Sequence, residues 1–294
     1  MIRSWLLAAR PATLWASVAP VFVAAALAAG DDVFAWPRFA VTLVAAMAIQ
    51  IGVNFANDVA DAARGADTEE RIGPTRAVAS GLISARQMWI GIAVAFGVAA
   101  VGGIYLIAVA GPAIAVIGIA SIIAALGYTN GPTPYGYRGL GEVFVFVFFG
   151  LVATVGARYV FDRTAPVEAW LAGVVMGLLA TAILLANNVR DLETDSAAGK
   201  ETLVVRVGRR GGVAIYSAAV GGAYAVILLA IISGWLPVWT LLSLVTLPVA
   251  VPLIKTIRSE TAGPPLIAVL KGTARLQLLV AMLLSAGILA DRFI

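Results

Sequence analysis

Long apolar runs constrain the fold of this chain more than any other feature. Several exceed about 18 residues, the length at which a helix crosses about 30 Å of hydrocarbon. Of the 294 residues, 61% are hydrophobic and 12% are charged, whereas soluble domains carry about 25% charged residues. The sequence therefore predicts an all-α, polytopic membrane protein.

Proline and glycine residues mark several boundaries between the runs. We expect about nine transmembrane helices, preceded by a short interfacial helix over residues 2–10. The predicted spans are 12–30, 37–56, 87–108, 110–128, 141–161, 166–187, 213–233, 235–254 and 272–291.

The basic residues predict the orientation of these spans. With nine spans and a cytoplasmic N-terminus, all but four of the 20 Lys and Arg residues fall on the cytoplasmic side. The four exceptions are Arg38, Arg158, Arg163 and Arg292. We expect a multi-pass protein of the cell (inner or plasma) membrane that contacts the lipid bilayer and binds no nucleic acid.

The residue types present limit the chemistry. The chain has no cysteine and no histidine, which excludes disulfides, thiolate nucleophiles, zinc sites built on those ligands, and histidine acid–base catalysis. Carboxylates, arginines, lysines and tyrosines are left. A site built only from oxygen ligands of this kind is typical of Mg²⁺ or Ca²⁺ and not of a transition metal.

A dense polar segment, 57–81, follows the second apolar run. Its start, Ala-Asn-Asp-Val-Ala-Asp at 56–61, recurs 130 residues later as Ala-Asn-Asn-Val-Arg-Asp at 186–191, again at the end of an apolar run. The recurrence predicts one transmembrane domain with two pseudo-repeated halves, about 1–128 and 129–294. Solvated charges are common at helix ends, but the duplication favours a single site with two sides.

Residues four apart share one face of a helix. Each recurring segment would therefore present a column of oxygen atoms, and Mg²⁺ prefers one or two carboxylates completed by water and phosphate oxygens. The predicted metal ligands are Asn57, Asp61, Asn187, Asp191 and Asp195. Basic residues around them would suit a diphosphate; these are Arg64, Arg71, Arg76, Arg190, Lys200 and Arg206.

A third cytoplasmic loop carries Tyr128, Tyr135, Tyr137 and Arg138. The tyrosines suit a developing carbocation or an aromatic acceptor, or else anchoring at the membrane interface. The phenylalanines that follow line a tunnel for an isoprenoid tail or pack against lipid; they are Phe144, Phe146, Phe148 and Phe149. Glu142 is either a buried functional carboxylate or a charge at a helix N-terminus.

At these residues the sequence resembles the UbiA superfamily of intramembrane aromatic prenyltransferases. Asn57-Asp58-Val59-Ala60-Asp61 resembles the first aspartate-rich motif, with Asp67 as its trailing acid, and Asp191-Leu192-Glu193-Thr194-Asp195 resembles the second. Segments 65–76, 134–142 and 187–208 are similar to the branch that prenylates 1,4-dihydroxy-2-naphthoate in menaquinone synthesis. Asp67 lies ten residues after Asn57, where the wider superfamily has eight.

The resemblance implies a central cavity open laterally to lipid, in which Mg²⁺ and both motifs bind a polyprenyl diphosphate. It implies Mg²⁺-dependent transfer of the polyprenyl group to 1,4-dihydroxy-2-naphthoate, with loss of diphosphate and CO₂, giving demethylmenaquinol. The predicted catalytic residues are Asp58, Asp61, Asp67, Asp191 and Asp195, with Asp58 or Asp67 as a base. The predicted substrate-binding residues are Asn57, Arg64, Arg71, Tyr128, Tyr137, Arg138, Asn187, Lys200 and Arg206.

Three alternatives stay open. In the first, the acceptor is another aromatic compound, such as 4-hydroxybenzoate, homogentisate or chlorophyllide. In the second, the chain is a secondary transporter, a class that also shows internal repeats and interrupted helices. In the third, it is a CDP-alcohol phosphotransferase, although only the fragment Asp61-Ala62-Ala63-Arg64 resembles that signature.

Overall fold

The computed structural model describes residues 2–63, 76–129 and 134–292. Within these residues the secondary structure is entirely helical. The helices are α1 (Ile2–Ala9), α2 (Pro11–Gly30), α3 (Trp36–Ala63), α4 (Ala85–Ala110), α5 (Ala113–Gly127), α6 (Gly141–Asp162), α7 (Val167–Arg190), α8 (Leu192–Ala197), α9 (Leu203–Ile232), α10 (Val238–Ser259) and α11 (Pro264–Ala290).

Each predicted span coincides with one helix. In the described part of the chain, eight helices are long and apolar enough to cross a membrane. The ninth, α5, is an apolar helix of 15 residues with a length of about 22 Å. The prediction of a polytopic α-helical protein with about nine spans is confirmed.

Two helices, α9 and α11, begin well before the predicted apolar runs. The run predicted at 272–291 becomes α11, which starts at Pro264. The predicted run at 213–233 becomes α9, which starts at Leu203 and includes three arginines. A backbone break at Gly208, with φ 72° and ψ 169°, divides this helix near its start. Only glycine adopts this conformation readily, so a short charged turn precedes the span itself.

The centre of the molecule is built by α2, α7 and α11, whose apolar stretches are the most buried. Their side chains join those of α9 in one hydrophobic core. The helices α3, α4, α5 and α6 stand on the other side of α2 and α7. A cavity of about 640 Å³ lies among them, and it contains the candidate site.

Contact between α6 and α7 depends on glycine. A Cβ atom on Gly150 would lie 2.6 Å from the Gly173 carbonyl oxygen and 2.7 Å from the Gly177 nitrogen. At this point α6 is π-helical, over Phe146–Val152; such turns are common at functional sites. Phe144, Phe148 and Phe149 line the cavity, whereas the ring of Phe146 packs on Gly177.

The end of the bundle away from the polar motifs is closed by ion pairs of one buried arginine. Arg158, which is 2% exposed, lies inside α6 and donates to Asp31 and Asp162, each at 2.6 Å. Arg38, at the start of α3, donates to the Val160 and Phe161 carbonyl oxygens. These bonds join the ends of α2, α3 and α6.

Gly150→Ala is expected to lower the stability of the bundle by about 1–3 kcal/mol, because the added methyl group separates α6 from α7. The measurement is thermal unfolding of the detergent-purified protein. Gly97→Ala on α4 is the matched control, since a Cβ there meets nothing within 4 Å. Equal melting temperatures for the two variants would contradict the importance of this contact.

Candidate functional site

The two recurring polar segments meet at one end of the cavity. Asn57 and Asp61 lie on the last turns of α3, and Asn187 lies on the last turn of α7. Asp191 ends α7, and Asp195 lies on the short helix α8. All five side chains line the same cavity. The structure thus brings together residues that are 130 positions apart in the sequence.

The first segment is held by contacts from two loops. Thr129 donates to Asn57 Oδ1 at 2.7 Å. Tyr137 donates to Asp61 Oδ1 at 3.0 Å, and Arg76 donates to Asp61 Oδ2 at 2.7 Å. Asp61 is 3% exposed, so these partners compensate for its burial.

The second segment is held by Arg190, the residue that directly precedes Asp191 in the sequence. Arg190 donates through Nε and one terminal nitrogen to the two oxygens of Asp191, at 2.7 and 2.5 Å. It also donates to Asn187 Oδ1 at 2.9 Å. This bidentate geometry orients both oxygen-bearing side chains. Arg190 does not line the cavity, but it contacts two side chains that do.

Lys200 joins the two segments. Its Nζ lies 3.6 Å from Asp61 Oδ1 and 3.7 Å from Asp195 Oδ1. The ammonium group also lies 4.9 Å from the centre of the Tyr137 ring. The backbone N–H of Lys200 donates to the Asp195 carbonyl oxygen at 2.9 Å. One cation is therefore shared by carboxylates from both polar segments.

The oxygen atoms at this end of the cavity fit a hard divalent cation. The donor set comprises carboxylates and amides, which suit Mg²⁺ when phosphate oxygens and water complete the shell. Within the described ranges no three carboxylates converge into a ready metal cage. The shared position of Lys200 shows that positive charge is stabilised between Asp61 and Asp195.

Burial keeps two tyrosines near the site, Tyr128 and Tyr135, in the neutral form. Burial raises the pKa of Tyr128, and the nearby Glu142 carboxyl adds a smaller contribution in the same direction. Burial also raises the pKa of Tyr135. Both side chains line the cavity, and Tyr135 stacks on Phe144 with ring centres 3.8 Å apart. The cavity wall therefore changes from polar to aromatic along α6.

The UbiA prenyltransferase family matches residues 17–271. The chain belongs to the UbiA prenyltransferase family. It is 38% identical over 271 residues to the 1,4-dihydroxy-2-naphthoate octaprenyltransferase of Mycobacterium leprae, covering 92% of this chain and 90% of the relative. It is 36% identical to the Mycobacterium tuberculosis protein of that name, covering 97% and 96%.

The fold is also similar to a solved UbiA homologue. The structure of the Archaeoglobus fulgidus homologue, bound to GPP and Mg²⁺, superposes with a TM-score of 0.69 at 15% identity. The superposition covers 98% of this chain and 99% of that chain. This UbiA-family chain is therefore a multi-pass membrane prenyltransferase with the fold of its family.

Three predicted site residues lie away from the cavity. Asp58 accepts the backbone N–H groups of Ala77 and Val78 at 3.1 and 2.9 Å; it holds the segment that follows Arg76. Arg138 is exposed on a 3₁₀ turn. Arg206 pairs with exposed Glu201 at 2.8 Å. None of the three lines the cavity.

Three further predicted residues, Arg64, Asp67 and Arg71, lie outside the described residues. Their predicted roles in catalysis and diphosphate binding stay predictions.

Several cavity residues of this UbiA-family member were not singled out from the sequence. Arg10 lines the cavity from the start of α2, in a left-handed conformation with φ 50°. Asn54 holds this corner by donating to the Ala9 carbonyl oxygen at 2.8 Å and to Thr13 Oγ1 at 3.1 Å. The Arg10-Pro11 pair at the start of an apolar run was the available signal. No comparable sequence feature identified Thr129 as a cavity residue.

Asp58→Ala is expected to accelerate amide hydrogen exchange at Ala77 and Val78 by about tenfold or more, because both N–H groups lose their acceptor. The measurement is hydrogen exchange followed by mass spectrometry on peptides that cover residues 76–83. Asp191→Ala, in the other half of the site, is the control and should leave these peptides unchanged. Unchanged exchange in Asp58→Ala would contradict the anchoring role.

Proposed function

We propose that the chain transfers a polyprenyl group from a polyprenyl diphosphate to 1,4-dihydroxy-2-naphthoate. The products are diphosphate, CO₂ and demethylmenaquinol, an intermediate of menaquinone biosynthesis. The observation that carries this proposal is the meeting of two oxygen-rich segments, with Lys200 between them, at the polar end of a largely apolar cavity. The names of the curated relatives support the choice of acceptor.

Asn57, Asp61, Asn187, Asp191 and Asp195 would hold Mg²⁺ at the polar end. When bound, Mg²⁺ neutralises the charge of the diphosphate leaving group. Lys200 and Arg76 line this end and would contact diphosphate oxygens. Arg190 would keep Asp191 and Asn187 oriented throughout.

The apolar wall would hold the tail and exclude water. Phe144, Phe148 and Phe149, with aliphatic side chains from α3, α4 and α5, line the rest of the cavity. A carbocation formed in open water would be captured by solvent, and an enclosed apolar site prevents this. The tyrosines beside Phe144 would present ring faces to positive charge.

The bond changes balance without an oxidant or reductant. The allylic C–O bond breaks, and its electron pair leaves with the diphosphate. The electron-rich acceptor ring forms the new C–C bond at the carbon that carries the carboxylate. The carboxylate then leaves as CO₂, and its bonding electrons restore the aromatic ring.

Asp58 is poorly placed to act as a base in this reaction. Its two oxygens already accept backbone N–H groups, and it lies off the cavity. Loss of CO₂ restores the ring without removal of a ring proton. Arg10 lines the same cavity, and an arginine suits the acceptor carboxylate.

We also propose that the polar end faces the cytoplasm. The positive-inside rule supports this orientation, because it places all but four of the 20 basic residues on the cytoplasmic side. A cytoplasmic opening would give Mg²⁺ and diphosphate access to water, while the isoprenoid tail stays in hydrocarbon.

The first test incubates the purified protein with a radiolabelled polyprenyl diphosphate, Mg²⁺ and either 1,4-dihydroxy-2-naphthoate or 4-hydroxybenzoate. A labelled lipid-soluble product is expected with the naphthoate, and it should be lost with EDTA and in Asp191→Ala. Product with 4-hydroxybenzoate alone would change the acceptor. No product with either acceptor, from folded protein, would overturn the proposal and favour a transporter.

A second test compares Lys200 and Arg206, two basic residues that were both predicted from the sequence to bind substrate. Lys200→Met is expected to raise the KM for the prenyl diphosphate by about tenfold or more, because a charge-assisted contact is lost. Arg206→Gln should change this KM by less than about twofold, because exposed ion pairs contribute little. Equal effects of the two variants would contradict the assignment of Lys200.

A further inference from the structure

Glu142 is a buried carboxylate that the proposed reaction does not yet use. It is the second residue of α6 and is 5% exposed. Its Oε1 accepts a hydrogen bond from Asn188 Nδ2 at 2.9 Å. No ion pair to a lysine or arginine is formed by Glu142 within the described part of the chain. A neutral amide therefore provides its side-chain contact.

Two cavity-lining side chains lie close to Glu142. Asn188, which is 4% exposed, lines the cavity from α7, and Tyr128 lines it from the end of α5. The Tyr128 hydroxyl oxygen would be 3.5 Å from a Cβ built on Gly141, the residue next to Glu142. Glu142 itself does not line the cavity, so any effect on a ligand passes through these neighbours.

The contact with Glu142 selects one orientation of the Asn188 amide. An asparagine side chain can present either its oxygen or its nitrogen to a ligand, whereas an ionised carboxylate only accepts hydrogen bonds. Asn188 lines the cavity, and because its Nδ2 donates to Glu142, its Oδ1 is the amide atom left to contact a ligand. Asn188 thereby offers a hydrogen-bond acceptor to whatever binds there.

The side of α7 on which Asn188 lies indicates which part of the substrates it meets. Its contact with Glu142 places it against the start of α6, whereas Asn187 and Asp191 are held by Arg190. Phe144, two residues after Glu142, begins the aromatic wall of the cavity, so an aromatic ring against that wall lies beside Asn188.

We propose that Glu142 is a positioning residue that turns Asn188 Oδ1 towards a ring hydroxyl of the aromatic acceptor. This inference rests on the proposed prenyl transfer. The hydroxyl donates to Oδ1, which fixes the ring beside the allylic carbon. Thr181 donates to the Glu142 carbonyl oxygen at 3.4 Å and helps to hold the start of α6 against α7.

The test measures KM and kcat for both substrates in a set of four variants. Glu142→Leu and Asn188→Ala are each expected to raise the KM for the acceptor by about tenfold, as expected for one lost hydrogen bond. The KM for the prenyl diphosphate should stay within about twofold. Glu142→Gln keeps an acceptor oxygen and should stay within about threefold of wild type for both substrates.

The double variant Glu142→Leu/Asn188→Ala should lose no more than either single variant, because both remove the same interaction. Glu168→Leu is the matched control: Glu168 also lies in the first turn of a spanning helix, α7, but lines a small pocket apart from the candidate site. It should resemble wild type.

Three results would overturn the inference: Glu142→Gln as impaired as Glu142→Leu, multiplied losses in the double variant, or an effect confined to the diphosphate KM. If Glu142→Leu fails to fold by size-exclusion chromatography, Asn188→Ala and Glu142→Gln still decide the matter through the acceptor KM. Wild-type protein without product from either aromatic acceptor would overturn the proposed function itself. Active wild type with unaffected Asn188→Ala would overturn this inference alone.

Discussion

Compensation of buried charge is the constraint on which the candidate site depends. A carboxylate removed from water is costly unless a cation or several donors meet it. Asp61 is met by Arg76 and Lys200, and Asp191 by Arg190. The polar end of the cavity is therefore a set of nearly balanced pairs. In the proposed reaction, a diphosphate arriving alone would compete with these carboxylates for their cations. Arrival together with a divalent cation keeps the balance.

This arrangement explains why the site lies where spanning helices end. Apolar residues make up most of the length of α3 and α7, whereas their last turns carry the polar atoms. The loops that follow these turns, and the loop after α5, supply Arg76, Tyr137 and Lys200. The helices thus set the position of the oxygen atoms, and the loops supply most of the opposing charge.

The division between helices and loops also determines what the sequence could predict. In the described part of the chain, apolar runs located the eight long helices and the shorter α5, because hydrocarbon imposes a minimum length and an apolar composition. The spacing of four residues placed Asn57 with Asp61, since helix geometry alone decides that relation. The start of α9 was predicted ten residues late because arginines interrupt the apolar run there. Charged residues lower hydropathy but do not stop a helix.

Contacts between distant segments could not be read from the sequence in the same way. Arg190 and Arg206 look alike as basic residues near the second motif, yet one is buried on Asp191 and the other pairs with Glu201 at the surface. Asp58 and Asp61 are three residues apart, but Asp58 faces a loop backbone and Asp61 faces the cavity. Burial and partner choice depend on how loops fold back, which local spacing does not encode.

The glycine contact between α6 and α7 has a consequence for motion. With backbones touching at Gly150 and Gly177, these two helices have no side-chain layer through which to slide, so they move as one body. On the opposite wall of the cavity, α4 has the least buried apolar stretch of the spanning helices, and α5 is the short one. In the proposed reaction, α4 and α5 would therefore yield to a long flexible chain more readily than the joined helices α6 and α7.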